Sequence, residues 1–193
     1  VEGYREYKIE NMTVSFPDEW NVMYEGNSDL EKIYTMYHLD SYDSWKNYME
    51  STVFEAINTD DVDLTSEYGP LGNEKAISIF MMDYTQKFQP DFQELKALSD
   101  EQKTEFLTKF SDSMLAESHM SYIDSYLVEA DALTFAVVNL KVDKYHYTVA
   151  GTVTGGKVYT MMATSQNPEA LLAEKKAIFD TVLQGFSVDT SAA

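Results

Sequence analysis

The sequence predicts an α+β fold in which an antiparallel sheet carries apolar side chains on both faces and lies under amphipathic helices. Three observations predict it. Period-two hydrophobic alternation flanks turn residues at Glu10-Asn11 and at Gly155-Gly156. A two-residue turn at the second place sets Val153 against Val158, Ala150 against Met161 and Val149 against Met162. Apolar residues then fall on both faces of that hairpin, so both faces need cover. Two segments with helical periodicity, one starting at Ser99 and one at Asn167-Pro168, are available to cover them.

The elements follow in order. Tyr7 and Ile9, then Met12, Val14 and Phe16, alternate around Glu10-Asn11, where Asn is expected to take the positive φ of a tight turn. Pro17 lacks an N–H and ends the second strand. Ser28 to Glu31 has capping-box spacing, and Leu30, Ile33, Tyr34 and Tyr37, then Trp45, Tyr48 and Met49, predict one or two short helices between 29 and 52. Residues 53–57 read as a short strand, 58–73 as an acidic loop, and 75–84 as a long buried strand. Ser99 and Gln102 form a second capping box, followed by the apolar stripe Phe106, Leu107, Phe110, Met114 and Leu115. Strands are expected at 122–128, 133–142, 145–153 and 158–164. Pro168 at a first helical position opens the last helix, whose face carries Leu171, Leu172, Ile178, Phe179, Val182 and Leu183 and which ends near Gly185. The chain reads as a single domain, 1–188, with a flexible tail at 189–193.

Composition bounds the partners. The 193 residues are 44% hydrophobic, enough to bury a core, and hold no run near the ~20 apolar residues of a membrane-spanning helix. Lys and Arg number 14 against 33 Asp and Glu, a formal charge of −19. Phosphate backbones and bare anionic lipid are poor partners for such a chain, because binding them relies on cations. Basic proteins, cations and neutral ligands stay open. There is no cysteine, which removes disulfides, thiolate catalysis and cysteine zinc sites. The start at Val1, with neither an initiator Met nor a signal segment, reads as a mature fragment trimmed of a signal peptide or a lipid-bearing Cys.

The opening hairpin ending in FPDEW, the strand TFAVVNL, the hairpin YTVAGTVTGGKVYTMMATS and a closing helix with a trailing FSV resemble the PsbP-like and Mog-type family. Within it the chain looks similar to uncharacterised secreted lipoproteins of Gram-positive bacteria. The resemblance implies a three-layer α/β/α sandwich with a central, mainly antiparallel sheet, and an exported, lipid-anchored location. It implies no shared activity, since members bind partners as different as a photosystem assembly and a small GTPase, and no set of site residues carries over. It also implies that Phe16 is the last inward residue of its strand and that Trp20 folds back over the core edge rather than forming a recognition loop.

Candidate sites are few. His38, His119 and His146 lack metal-ligand spacing and read as surface or satisfied core residues. Asp60, Asp61 and Asp63 are the best cation candidate, although they depart from the calcium-loop template and a solvated turn explains them as well. No nucleophile elbow or phosphate loop appears, and 33 acids place carboxylate pairs everywhere by chance. Tyr42, Trp45 and Tyr48 sit in an aromatic cluster able to stack on a sugar or anchor a peptide, or to pack on the sheet. The reading that follows is a non-enzymatic binding or adaptor domain of the bacterial envelope, without a cofactor and with another envelope protein as partner. A carbohydrate- or peptide-binding module is the first alternative and a hydrolase assembled from distant loops the second.

Overall fold

In a computed structural model, which describes residues 1–27, 50–58, 75–82, 94–116, 119–166 and 173–192, the opening alternation forms a hairpin of β1 (Tyr4–Ile9) and β2 (Met12–Pro17). The positive φ of its turn falls on Glu10, at 54°, and not on Asn11 as the residue types suggested. Asn11 serves differently, because its side chain is committed to contacts outside the hairpin. Its Nδ2 donates to the Tyr159 hydroxyl at 3.3 Å and to the Asp189 carbonyl at 3.4 Å.

Next come β3 (Asn21–Tyr24), β4 (Thr52–Ile57) and β5 (Ile77–Met82), then α1 (Asp100–Ala116). Four strands follow, β6 (Ser121–Glu129), β7 (Thr134–Val142), β8 (Tyr145–Thr154) and β9 (Lys157–Ser165), and after them α2 (Ala173–Gly185) and β10 (Ser187–Val188). Among the described residues, the main sheet has seven strands in the order β3-β4-β5-β9-β8-β7-β6, and every neighbouring pair is antiparallel. A smaller sheet holds β1, β2 and β10. Of the helices expected between 29 and 52, residues 29–49 lie outside the described residues and Thr52 belongs to β4; the loop expected at 58–73 beyond Asn58, the end of the 75–84 strand and the cap at Asn167-Pro168 also lie outside them.

The expected register of the late hairpin is the observed one, with Val153 opposite Val158, Ala150 opposite Met161 and Val149 opposite Met162. Gly155 and Gly156 turn it with φ of 59° and 75°, values that favour glycine. Its two faces enter two cores. Ala150 and Met161 pack with Phe16, Phe54, Phe179 and Phe186, whereas Val149, Val153, Val158 and Met162 pack with Phe106 and Phe110 of α1. The α/β/α sandwich is therefore present, with one qualification: the face opposite α1 is shared by α2 and the β1-β2 hairpin, whose Val14 and Phe16 are fully buried.

α1 begins as its sequence dictates. The Gln102 N–H donates to Ser99 Oγ at 3.2 Å and the Ser99 N–H donates to Gln102 Oε1 at 3.1 Å, which satisfies donors that a helix start leaves open. The residues expected as a tail carry a 3-10 turn at Thr190–Ala192, and the Asp189 N–H donates to the Asn11 carbonyl at 2.8 Å.

Candidate functional site

Several residues singled out in the sequence lie outside the described residues: Tyr42, Trp45 and Tyr48 of the aromatic cluster, the acids Asp60, Asp61 and Asp63, and His38. Trp20 is 5% exposed and stacks on Phe16 with ring centroids 6.3 Å apart, so it closes the core edge and is no recognition loop. His119 is exposed. His146 is buried, and its Nε2 lies 2.9 Å from Asn139 Oδ1. Among the described residues no three metal-ligating side chains gather in a group.

A different feature stands out once the strands are in place. The turn of the β1-β2 hairpin lies against the neighbouring strands β4, β5 and β9, and a cleft of about 380 Å³ opens between them. The hairpin contributes Glu10, Asn11 and Met12, β4 contributes Val53, and β5 contributes Met81 and Met82. The fourth wall is Lys157 to Thr160 of β9.

Four consecutive residues of one strand lining a cleft is informative. Side chains alternate between faces, so a cleft lying over one face would meet every second residue. The run Lys157 to Thr160 therefore borders it with residues of both faces. Met12, Val53 and Met81 line it from the core side, and Glu10, Asn11, Lys157 and Thr160 give it a polar share of similar size.

The charged groups stand at the margin. Glu10 and Lys157 are exposed, and neither forms an ion pair among the described residues. The Asn11–Tyr159 hydrogen bond and the Asn11–Asp189 bond tie the hairpin turn to β9 and to the C-terminal segment, so the opening is fixed by contacts between distant parts of the chain. Gly155, at the tip of the adjoining hairpin, is held from the other side: its N–H donates to Glu94 Oε1 at 2.7 Å. Sequence reasoning missed this cleft because its walls are residues 148 positions apart, as in the Asn11–Tyr159 bond, and each wall by itself reads as ordinary strand. The one local signal was a glutamate at the first position of a two-residue turn, where a glycine would be the easier choice.

No protein-family model and no curated protein sequence matches the chain. Among solved structures, the chain is similar to cyanobacterial PsbP (CyanoP) from Synechocystis sp. PCC 6803, with a TM-score of 0.51 and 14% sequence identity over 98% of this chain and 94% of that one. The likeness shows a PsbP-like fold. It shows nothing of Mog-type proteins or of lipoproteins.

Proposed function

We propose that the chain is a non-enzymatic binding or adaptor domain of the bacterial envelope, tethered to the membrane by a lipid and acting on another envelope protein. The observation that carries the reading is the cleft. Methionine and valine walls suit the capture of a polypeptide segment, since methionine adapts its shape to what it meets. The PsbP-like sandwich supports the reading at the level of architecture. The charge of −19 favours a partner with a basic surface.

The experiment is a pull-down from an envelope extract of the source bacterium, with the chain as bait at low and at moderate salt. One protein retained at both salts is the expected result. Capture of many basic proteins, all lost on raising the salt, would sink the reading, because charge alone would then be what is recognised.

A further inference from the structure

We propose that the outer edge of β1 is an interface at which two copies of the chain pair as antiparallel strands, with Glu6 of each copy opposite Lys8 of the other. The proposal rests on the first hairpin alone and is independent of the envelope partner proposed above.

The hairpin fixes which main-chain groups face outward. Its two-residue turn closes on the pair Ile9–Met12, so the hydrogen-bonded pairs of the β1-β2 ladder are Ile9–Met12, Tyr7–Val14 and Arg5–Phe16. The Asp18 N–H, which donates to the Gly3 carbonyl at 2.9 Å, continues that alternation, and Pro17 falls on a pair that needs no N–H. Tyr4, Glu6 and Lys8 therefore turn their N–H and C=O away from β2. The Val1 carbonyl takes the Tyr4 N–H at 3.2 Å, which leaves Glu6 and Lys8. Among the described residues no strand pairs with β1 on that side. The chain on either side of β1 is itself described, since Gly3 returns to Asp18 and Ile9 turns directly into β2. A main-chain edge left open in this way needs water or another strand.

Charge selects the occupant. With 14 Lys and Arg against 33 Asp and Glu, two copies of the chain repel one another on balance. β1 departs from that balance, because it sets Arg5 and Lys8 against Glu6 alone. Glu6 and Lys8 project from one face of the strand, their side chains are 60% and 75% exposed, and their own contact at 3.8 Å is loose. Only outward-turned residues can exchange hydrogen bonds across a new ladder, so the register between two β1 strands moves in steps of two. With Tyr7 on the two-fold axis, each Glu6 meets the second copy's Lys8, and both of these pairs carry main-chain hydrogen bonds. A slip one way sets Glu6 against Glu6, and a slip the other way sets Lys8 against Lys8. The same two side chains thus favour one register and oppose its neighbours.

The test is sedimentation equilibrium of the chain up to about 1 mM, in about 0.15 M sodium chloride to screen the overall repulsion. The wild type should pass from one chain to two as concentration rises, and a single chain throughout overturns the proposal. Glu6→Lys and Lys8→Glu should each weaken the pairing by at least about tenfold, because the two-fold axis makes two pairs repulsive at once. Glu6→Lys lowers the net negative charge, so a dimer lost in that variant is not lost to overall repulsion. Mixed in equal amounts, the two variants should pair again, since both cross-strand pairs are then opposite in charge. A dimer kept by both single variants, or a mixture that stays monomeric, overturns the proposal.

Amide hydrogen exchange by NMR locates the edge. In dilute solution the amides of Glu6 and Lys8 should exchange at least about tenfold faster than those of Tyr7 and Ile9, which donate to β2. Slow exchange at both positions in the single chain also overturns the proposal, because that edge is then already paired.

Discussion

At the scale of single residues, a short polar chain decides how His146 is held. Asn139 Nδ2 donates to Asp124 Oδ1 at 2.7 Å, which fixes the orientation of the amide. Its Oδ1 is then an acceptor, and it receives the Thr148 hydroxyl at 2.7 Å and His146 Nε2 at 2.9 Å. Nε2 must therefore carry a proton. Nitrogen-15 NMR of His146 should show Nε2 protonated, and a spectrum with Nε2 bare would contradict this reading. Asn139→Ala removes an acceptor from two buried donors and should cost about 1–3 kcal/mol in urea unfolding. Glu10 is the opposite case. A non-glycine side chain at φ 54° is strained, so Glu10→Gly should raise stability or leave it unchanged, by up to about 1 kcal/mol. The turn at Glu10 and a satisfied His146 were legible in the sequence, but which turn residue takes the positive φ and which residue satisfies the histidine were not. His146 sits between two tyrosines on a strand, and its partner Asn139 lies on the neighbouring strand, reached through the register alone.

Elements show where local pattern did suffice. The capping box of α1, the Gly155-Gly156 turn and the register it sets all depend on residues close in sequence, so the sequence predicts them directly. β3 and β10 escaped because four and two residues are too few to display a period. The packing of α1 was legible as an apolar stripe but not as a fit. Phe110 lies over Gly151 of β8 so closely that a Cβ there would stand 2.3 Å from its ring. Gly151→Ala should therefore destabilise by about 1–3 kcal/mol, and Phe110→Leu combined with it should recover part of that loss. Simple addition of the two single effects in urea titrations would show that the contact is not the cause.

The N-terminal half of α1 is also fastened to the far end of the sheet by charge. Lys103 Nζ lies 2.9 Å from Glu129 Oε1, and the Thr134 hydroxyl donates to the other carboxylate oxygen. Those hydrogen bonds, from Thr134 first and Lys103 second, hold the Glu129 carboxyl below its ordinary value of 4.5. A lowered folded value means that the stabilisation is present above the unfolded value and is lost as pH falls through the folded one. The side chain of Glu129 is 53% exposed, so the contribution is small. Glu129→Gln should flatten the stability curve below about pH 4.5 relative to wild type, and parallel curves for the two proteins would remove the assignment.

At the scale of the whole molecule, one sheet separates two cores, and the chain carries a formal charge of −19. Burial sets the sandwich, and charge sets the conditions under which it is most stable, because like charges crowded on a compact body repel more than on an open chain. Salt screens that repulsion over a Debye length of about 8 Å at physiological strength. The few cations are partly spent in exposed pairs such as Lys109–Glu105 and Lys176–Asp180, each at helical i,i+4 spacing and each weakly stabilising. Screening should thus remove more repulsion than attraction. Thermal melts of the chain from low to about 0.5 M sodium chloride at pH 7 should show a rising melting temperature, by several degrees for a gain of about 1 kcal/mol. The same salt should slow the capture of a basic partner without abolishing it, because it screens the field that draws the partner in. The two responses have opposite sign and one cause. A melting temperature that falls with salt would mean that specific ion pairs outweigh the net charge, and the electrostatic part of the case for a basic partner would fall with it.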